Sequence, residues 1–239
     1  MQAVILAAGD GGRLHPLTSQ NPKPLLEVRG RALIHHALDA LRAAAVTDVV
    51  VVLGYRGEQI RRALETHSPE GMRVRFVHND GYELGNARSL WAARGLVDGP
   101  FVLMMADHLV APSLVQKLVR GADGTCLLAV ERTHSRDARA FEATRARIRD
   151  GLVLDLGKTI PHWNALDTGV FWCTPDVFDA MTPEMRDGEA GAVFAALARS
   201  GKLHAVDVSG RLWIDVDTVE DLRRAEQLFG NPARHVTGA

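Results

Sequence analysis

Short apolar runs alternate with amphipathic segments through the first half of the chain, and this alternation limits the folds open to it. Runs rich in β-branched residues predict buried strands, whereas apolar residues three and four positions apart predict helices. Strands are predicted at residues 4–6, 48–53, 73–77 and 101–105, and helices at 33–44, 56–66, 86–95 and 113–119. We therefore expect an α/β fold with a mixed, mainly parallel sheet flanked by helices.

The second half of the chain is less regular. Strands are predicted at residues 125–131, 146–149, 153–156, 168–173, 204–208 and 211–214, and helices at 175–181, 191–199 and 218–228. Asp150-Gly151 and Ser209-Gly210 each stand between two predicted strands, and both pairs predict hairpin turns. We expect a single domain over residues 1–230, with halves that meet near residue 110, and a frayed tail at 231–239.

Composition excludes several classes of partner. The 239 residues carry a formal net charge of −1, which gives no global attraction to nucleic acid or to an anionic membrane. No stretch approaches the roughly 18 apolar residues of a membrane span, so no membrane insertion is expected. Cys126 and Cys173 lie in apolar runs and predict buried thiols rather than a disulfide framework. We expect a cytoplasmic protein.

A glycine-rich turn follows the first predicted strand and indicates a phosphate site. Gly9, Gly11 and Gly12 come directly after the strand, Arg13 follows them, and Lys23 stands between two prolines. Successive backbone N–H groups in such a turn form a concave anion site, which an arginine and a lysine can complete. Because the turn follows a strand of a parallel sheet, it should lie on the rim where such folds bind ligands.

Two common phosphate motifs are excluded. A P-loop requires a glycine five residues before its Gly-Lys-Ser/Thr, and Gly157-Lys158-Thr159 has none at that position. The dinucleotide fingerprint requires a third glycine where Leu14 stands. The phosphate site therefore belongs to another class.

Aspartates on two predicted strand ends suggest a divalent cation site. Asp107 follows the strand at 101–105, and Asp215 follows the apolar residues 212–214, with Asp217 two positions on. Mg²⁺ prefers oxygen ligands, typically one or two carboxylates together with substrate phosphates. The alternative is that these aspartates cap helices. The sequence does not show whether the two strands end near each other.

The spacing Leu-x-x-Gly-x-Gly-x-Arg-Leu-x-Pro-Leu-Thr-x-x-x-Pro-Lys-Pro-Leu, residues 6–25, resembles that of the sugar-phosphate nucleotidyltransferase family. The resemblance implies a Rossmann-like fold of the nucleotide-diphospho-sugar transferase type, with a nucleotide-binding half at about 1–110 and an acceptor-binding half at about 111–230. It also implies catalytic roles for Lys23 and Arg13. Nucleotide contacts are implied for Leu6, Ala7, Ala8, Gly9, Gly11 and Gly12. The Thr or Ser usual before the arginine is Gly12 here.

The same resemblance implies the remaining site residues. Asp107 and Asp215 match the aspartates that hold Mg²⁺ in the family, and Asp217, where many relatives have Gly, is a third candidate ligand. Lys158 resembles the lysine that binds the acceptor phosphate. Asp167 and His108 are further candidates for contact with the acceptor, and a position orienting Asp107 is an alternative for His108.

Four segments narrow the resemblance to cytidylyltransferases. Asn86-x-x-Ser89-Leu90 and Met105-Ala-Asp-His108 resemble segments of alcohol-phosphate cytidylyltransferases. The segments 166–171 and 212–218 look most like CTP:inositol-1-phosphate cytidylyltransferases. Further nucleotide contacts are predicted for the following residues: Asp80, Glu83, Asn86 and Ser89.

The favoured function is therefore Mg²⁺-dependent transfer of CMP from CTP to a small phosphorylated alcohol, inositol 1-phosphate first, with release of pyrophosphate. Phosphonate or phosphocholine cytidylyltransferases and a hexose-1-phosphate nucleotidyltransferase using GTP, UTP or dTTP are alternatives. A non-catalytic nucleotide-binding regulatory module is a further one. A homo-oligomer is compatible with the sequence.

Overall fold

The computed structural model describes residues 1–133 and 143–230. Its strands are β1 (Gln2–Ala7), β2 (Glu27–Val28), β3 (Arg31–Ala32), β4 (Asp48–Leu53), β5 (Arg73–His78), β6 (Phe101–Met105), β7 (His108–Val110), β8 (Cys126–Arg132), β9 (Arg145–Arg149), β10 (Leu152–Gly157), β11 (Ala165–Cys173), β12 (Leu203–Asp207) and β13 (Trp213–Asp215). Its α-helices are α1 (Leu33–Ala43), α2 (Gly57–Thr66), α3 (Asn86–Ala92), α4 (Pro112–Arg120), α5 (Asp176–Asp179), α6 (Pro183–Arg186), α7 (Ala190–Arg199) and α8 (Val219–Leu228). The tail predicted at 231–239 lies outside the described residues, and the division of 1–230 into halves stays a prediction.

Nine of the described strands form one sheet in the order β5-β4-β1-β6-β11-β8-β12-β10-β9. The four strands from β5 to β6 run parallel, with β1 between β4 and β6. From β11 onward the sheet is mixed, since only β8 and β12 pair in parallel there. The α/β class with a mixed sheet is thus confirmed, and its parallel part lies in the first half.

Helices cover both faces of this sheet, which explains the continuous apolar runs in the sequence. Residues 49–53 of β4 are all buried. Alternate β4 side chains pack with α1, α2 and α4 on one face, and the others pack with α3 and α7 on the opposite face. A third, smaller core joins α8 to the ribbon of β2 and β3 and to the pair of β7 and β13. Cys126 and Cys173 are buried free thiols, as predicted.

One of the two predicted hairpins is confirmed and the other is wrong. Strands β9 and β10 pair antiparallel around Asp150 and Gly151, whose φ angles of 52° and 80° suit a tight hairpin turn. Strands β12 and β13 do not pair with each other, because β12 pairs with β8 and β13 pairs with β7. Ser209 instead forms a local turn in which its backbone N–H donates to Asp207 Oδ1 at 2.9 Å.

Helix α8 begins with a capping box, which fixes the chain direction just after Asp217. Thr218 Oγ1 accepts from the backbone N–H of Asp221 at 3.2 Å, and Asp221 Oδ2 accepts from the backbone N–H of Thr218 at 2.8 Å. We expect Thr218→Ala to lower the free energy of unfolding by about 1 kcal/mol, because it removes the cap. Urea denaturation measures this, and Thr218→Ser, which keeps the hydroxyl, should change it much less. Equal losses in both variants would contradict the assignment.

None of the helices in residues 1–133 and 143–230 is long and apolar enough to cross a membrane.

Candidate active site

A cleft of about 1520 Å³ opens where β1 and β6 end. The glycine-rich turn follows β1 and lines one side of it, and Asp107 follows β6. Residues of the second half, among them Lys158 and Gly169, also line it. The cleft therefore joins the predicted phosphate site to the predicted acceptor side.

The glycine-rich turn is held in place from beneath by Thr18 and Lys23. Gly11 has a φ of 66° and precedes a short 3₁₀ turn at Gly12–Leu14. The buried Thr18 hydroxyl donates to the Gly11 carbonyl at 3.1 Å. A Cβ built on Gly11 would lie 2.8 Å from Lys23 Cβ, so this position requires glycine both for its φ and for its contact.

We expect Gly11→Ala to destabilise the protein by about 2 kcal/mol or more, because left-handed strain and overpacking add. Thermal and urea denaturation measure the loss. Gly30→Ala is the matched control, because Gly30 has a φ of 70° and no atom within 4 Å of the added Cβ. Gly30→Ala should show only the strain, and equal losses in the two variants would contradict the packing argument.

Lys23 lies buried among carboxylates beneath the turn. Its side chain is 9% exposed, and its Nζ donates to Asp107 Oδ2 at 2.6 Å and to Asp217 Oδ1 at 2.7 Å. Burial by itself lowers the pKa of Lys23, but the charges of Asp107, Asp215 and Asp217 raise that pKa well above its usual value. Lys23 is therefore a fixed cation at neutral pH.

Arg13 lies above Lys23 at the entrance of the cleft. Its guanidinium pairs with Asp217 Oδ2, so Asp217 bridges Arg13 and Lys23. Burial raises the pKa of Asp217, but Lys23 and Arg13 hold it below its ordinary value. Because both oxygens of Asp217 face cations, this carboxylate organises the positive groups in the structure as it stands.

Pairing of β7 with β13 brings Asp215 to Asp107. The two strands are antiparallel, and Asp215 stands opposite His108, the neighbour of Asp107. His108 Nδ1 lies 2.9 Å from Asp107 Oδ1 and 3.9 Å from Asp215 Oδ1. Burial of Asp107 raises its pKa, but Lys23 and His108 lower it well below its ordinary value.

Asp215 is the least compensated carboxylate of the cluster. Burial, with the charges of Asp107 and Asp217, raises the pKa of Asp215 to about 7, although the charges of His108 and Lys23 oppose the shift. Its Oδ1 is buried and has no hydrogen-bond partner among the described residues. Single donor atoms of Asp107, His108 and Asp215 lie within 4.8 Å of one another. An orphaned carboxylate oxygen beside a second carboxylate fits a hard divalent cation.

The predicted acceptor residues lie on strands and loops of the second half that line the cleft. Lys158 follows β10 and is exposed there, whereas Asp167 lies within β11. Asp167 Oδ1 accepts from the backbone N–H of Gly169 at 2.7 Å. Burial raises the pKa of Asp167 to about 6, although the Gly169 N–H and His108 oppose the shift. His108 lies between the acceptor side and the carboxylate cluster.

The predicted nucleotide residues after β5 are only partly in the cleft. Glu83, Asn86 and Ser89 line it, as do residues 6–9, 11 and 12. The Asn86 side chain accepts from the backbone N–H of Ala190 at 2.6 Å, and Ser89 Oγ accepts from a buried asparagine amide at 3.0 Å. Asp80 does not line the cleft: its side chain is 97% exposed and lies 3.4 Å from His78. The nucleotide-binding roles of these residues stay predictions.

The comparison with known families decides the class of the protein. Residues 2–231 match the sequence profile of the family described as nucleotidyl transferase. The chain belongs to the nucleotidyl transferase family. The resemblance read from residues 6–25 is thereby confirmed, and so is its implication that the protein is an enzyme that transfers a nucleotidyl group.

Similar nucleotidyltransferases fall into more than one branch. A "Bifunctional IPC transferase and DIPP synthase" from Rubrobacter xylanophilus is 36% identical over 95% of this chain, which spans about half (51%) of that protein. A "UTP--glucose-1-phosphate uridylyltransferase AglF" from Haloferax volcanii is 30% identical over 95% of this chain and 96% of its own length. The structure of the inositol-1-phosphate CTP transferase from T. maritima matches with a TM-score of 0.84 and 25% identity, over 100% of this chain and 97% of that one.

Sequence reasoning missed several residues that line the cleft of this nucleotidyltransferase, among them Tyr82, Gly169 and Arg224. Tyr82 stands between Asp80 and Glu83, and an aromatic side chain in this segment carries no phosphate-binding signal of its own. Gly169 follows Asp167 closely, and its φ of 73° is a property that only the fold reveals. Arg224 lies in α8 and has no ion-pair partner within residues 1–133 and 143–230; no local pattern distinguishes it from other helix-surface arginines.

Proposed function

We propose that this nucleotidyltransferase is a Mg²⁺-dependent cytidylyltransferase that transfers CMP from CTP to inositol 1-phosphate and releases pyrophosphate. The observation that carries the proposal is the position of Lys23. A buried, permanently charged ammonium group lies beside a phosphate-binding turn and contacts two carboxylates, with the orphaned Asp215 oxygen close by. This arrangement neutralises phosphate charge and provides no protein nucleophile.

The chemistry that fits this geometry is direct displacement at phosphorus. An oxygen of the acceptor phosphate forms a bond to the α-phosphorus, and the bond from that phosphorus to the β-bridging oxygen breaks, so that pyrophosphate leaves with its electron pair. No proton has to be removed from the attacking phosphate dianion. The reaction therefore requires alignment and charge neutralisation rather than a general base.

Each cation has a distinct task in this mechanism. Lys23 lies deepest and contacts the α-phosphate and the approaching acceptor phosphate, where it offsets their mutual repulsion. Arg13 is exposed at the entrance, where it binds the phosphates that leave. Mg²⁺ held by Asp107 and Asp215 would supply Lewis-acid neutralisation of phosphate charge. Asp217, paired with both cations, holds them in register.

The acceptor side supports a phosphorylated polyol. Lys158 offers a mobile point charge for the acceptor phosphate, and Asp167 offers a carboxylate whose second oxygen can accept from a hydroxyl group. Inositol 1-phosphate is the acceptor we favour, because the similar structure from T. maritima is described as an inositol-1-phosphate CTP transferase. A cytoplasmic location fits small, water-soluble substrates of this kind and stays a prediction.

A hexose 1-phosphate is the second candidate acceptor. The relative from Haloferax volcanii, which is 30% identical over 95% of this chain, is described as a UTP--glucose-1-phosphate uridylyltransferase. Both acceptors present a phosphate monoester on a hydroxylated ring, so Lys158 and Asp167 suit either of them. The choice therefore depends on ring geometry and on the nucleobase.

Pyrophosphate release tests the proposal directly. CTP, UTP, GTP, ATP and dTTP are each combined with inositol 1-phosphate, glucose 1-phosphate, phosphocholine and 2-aminoethylphosphonate in the presence of Mg²⁺. We expect release with CTP and inositol 1-phosphate, and about 10²–10³-fold slower release with the Lys23→Ala variant, which controls for contaminating enzymes. Release only with UTP, GTP or dTTP and glucose 1-phosphate would favour the hexose branch. Release with CTP and phosphocholine or 2-aminoethylphosphonate would support a cytidylyltransferase with a different acceptor. If no combination of nucleotide and acceptor released pyrophosphate, the proposal would be overturned.

A further inference from the structure

The ring of His108 lies against the backbone of Gly169, in a space that a side chain would fill. A Cβ built on Gly169 would stand 2.3 Å from His108 Cδ2 and 2.5 Å from Nε2. Atoms at such distances overlap, so any larger residue at position 169 must displace the ring or the strand. The fit of the imidazole therefore depends on glycine at a position far from it in the chain.

An irregularity in β11 creates this space. The pairing of β11 with β8 shifts register between Asp167 and Phe171, and Gly169 has a φ of 73° inside that interval. The carboxylate of Asp167 accepts from the N–H of Gly169 and so holds the irregular backbone. Irregularities of this kind occur beside active sites, where they redirect a side chain or make room for one.

The two ring nitrogens of His108 have different surroundings. Nδ1 points to the carboxylate cluster, 2.9 Å from Asp107 Oδ1 and 3.9 Å from Asp215 Oδ1. Both neighbours of Nδ1 are carboxylate oxygens, so Nδ1 is protonated and its N–H donates a hydrogen bond to Asp107. A protonated ring nitrogen has no lone pair for a metal. Nε2 lies over Gly169 on the side of the ring away from the cluster. Neither nitrogen is therefore arranged to ligate a cation that Asp107 and Asp215 hold.

We propose that His108 is a positioning residue, which holds the Asp107 carboxylate in place for the divalent cation, and that Gly169 is the position that makes room for it. This inference rests on the proposed function only for the presence of a cation at Asp107 and Asp215. Hydrogen-bonding partners of metal ligands typically contribute about 10–100-fold to metal affinity. His108 is assigned this role in place of direct contact with the acceptor.

Cation binding without substrates gives the first test. Mn²⁺ is titrated into the full chain by calorimetry, so neither nucleotide nor acceptor is needed. We expect His108→Ala to weaken Mn²⁺ binding about 10–100-fold. His108→Asn should restore most of the loss, because its amide nitrogen can donate to Asp107 from nearly the position of Nδ1. Unchanged binding in His108→Ala would overturn the proposal.

The role of Gly169 is tested by a double-mutant cycle with the same readout. In the unmutated background, Gly169→Ala should weaken Mn²⁺ binding by a factor similar to that for His108→Ala. In the His108→Ala background, the same substitution should weaken Mn²⁺ binding by less than a further factor of about two. Gly151→Ala controls for backbone strain, because Gly151 has a φ of 80° and no atom within 4 Å of the added Cβ. Equal effects of Gly169→Ala in both backgrounds would show that Gly169 does not act through His108, and would overturn that part of the proposal.

Electron paramagnetic resonance of the Mn²⁺ complex distinguishes positioning from coordination in the unmutated protein. We expect no strong nitrogen coupling to the bound ion, since His108 acts through Asp107. A directly bound ring nitrogen, lost in His108→Ala, would make His108 a ligand and overturn the proposal. These measurements omit CTP and acceptor, so their outcome is independent of whether the pyrophosphate assay identifies a substrate.

Discussion

Lys23→Ala is expected to lower kcat/KM for pyrophosphate release about 10²–10³-fold, the usual effect of removing one preorganised charge from a phosphoryl or acyl transfer site. The lysine is buried and held by two short ion pairs, so its ammonium group needs no reorganisation when phosphates arrive. Arg13 cannot replace it, because Arg13 lies at the exposed entrance and pairs with the other oxygen of Asp217. Steady-state kinetics with saturating Mg²⁺ measures the loss.

The same variant should also lose stability when no divalent cation is present. Asp107 and Asp217 then face each other without the ammonium group that separates them, and breaking a buried pair leaves uncompensated charge. Mg²⁺ should recover part of the lost melting temperature by supplying positive charge at Asp107. Lys202→Ala, at an exposed position, controls for general effects of removing a lysine. Full turnover in Lys23→Ala would contradict the mechanism.

Asp215→Asn is expected to have opposite effects on activity and stability. We expect the loss of a carboxylate ligand to reduce Mg²⁺-dependent turnover by about 10²-fold or more, as removal of other preorganised charges does. In the absence of a cation the variant should melt at a higher temperature than the unmutated protein, because it removes a half-buried carboxylate whose charge is only partly compensated and whose Oδ1 is buried without a hydrogen bond. Functional sites often carry such destabilising groups.

The stability gain from Asp215→Asn should grow with pH. The pKa of Asp215 is about 7 in the folded protein, against an ordinary value of 3.8, so the folded state retains a proton that the unfolded state has released. This group therefore lowers stability progressively as pH rises from about 4 to 7, and its full cost is present above pH 7. Melting temperatures with a chelator present, measured from pH 5 to 8, give the slope.

Asp217→Asn is the matched control for this prediction. Asp217 pairs with Lys23 and Arg13, and its pKa is lowered rather than raised, so its replacement should destabilise the protein at neutral pH. Two aspartates separated by one residue are thus expected to give opposite signs. A melting temperature lower than that of the unmutated protein for Asp215→Asn, at pH 8 without cation, would contradict the conclusion that the Asp215 carboxylate destabilises the fold.

The first half of the fold could be predicted closely because its signal is local. The strands at residues 48–53 and 101–105 have the predicted bounds, since a strand buried on both faces reads as one apolar run. The hairpin at Ser209-Gly210 was wrong because turn residues specify a bend and not the partner of the next strand. Strand β12 pairs with β8 instead, and that pairing depends on packing in the second half.

The candidate site divides in the same way. Glycines, an arginine and a lysine placed directly after a strand indicated a phosphate site, because the residue types themselves carry that chemistry. Polarity alone does not predict that a side chain faces the cleft. Asn86 and Ser89 line the cleft but form hydrogen bonds within the protein, and the exposed Asp80 does not line it. Such choices depend on neighbours that a linear pattern does not contain.

The sequence by itself determined the α/β class, the glycine-rich turn after β1 and the family to which the chain belongs. Only the tertiary structure decided that Asp215 meets Asp107, through the pairing of β13 with the unpredicted strand β7. It also decided that Lys23 lies between Asp107 and Asp217, and that Gly169 leaves room for His108. The physical reason is that local propensities act between neighbours in the chain, whereas these contacts join distant segments through the packing of the entire core.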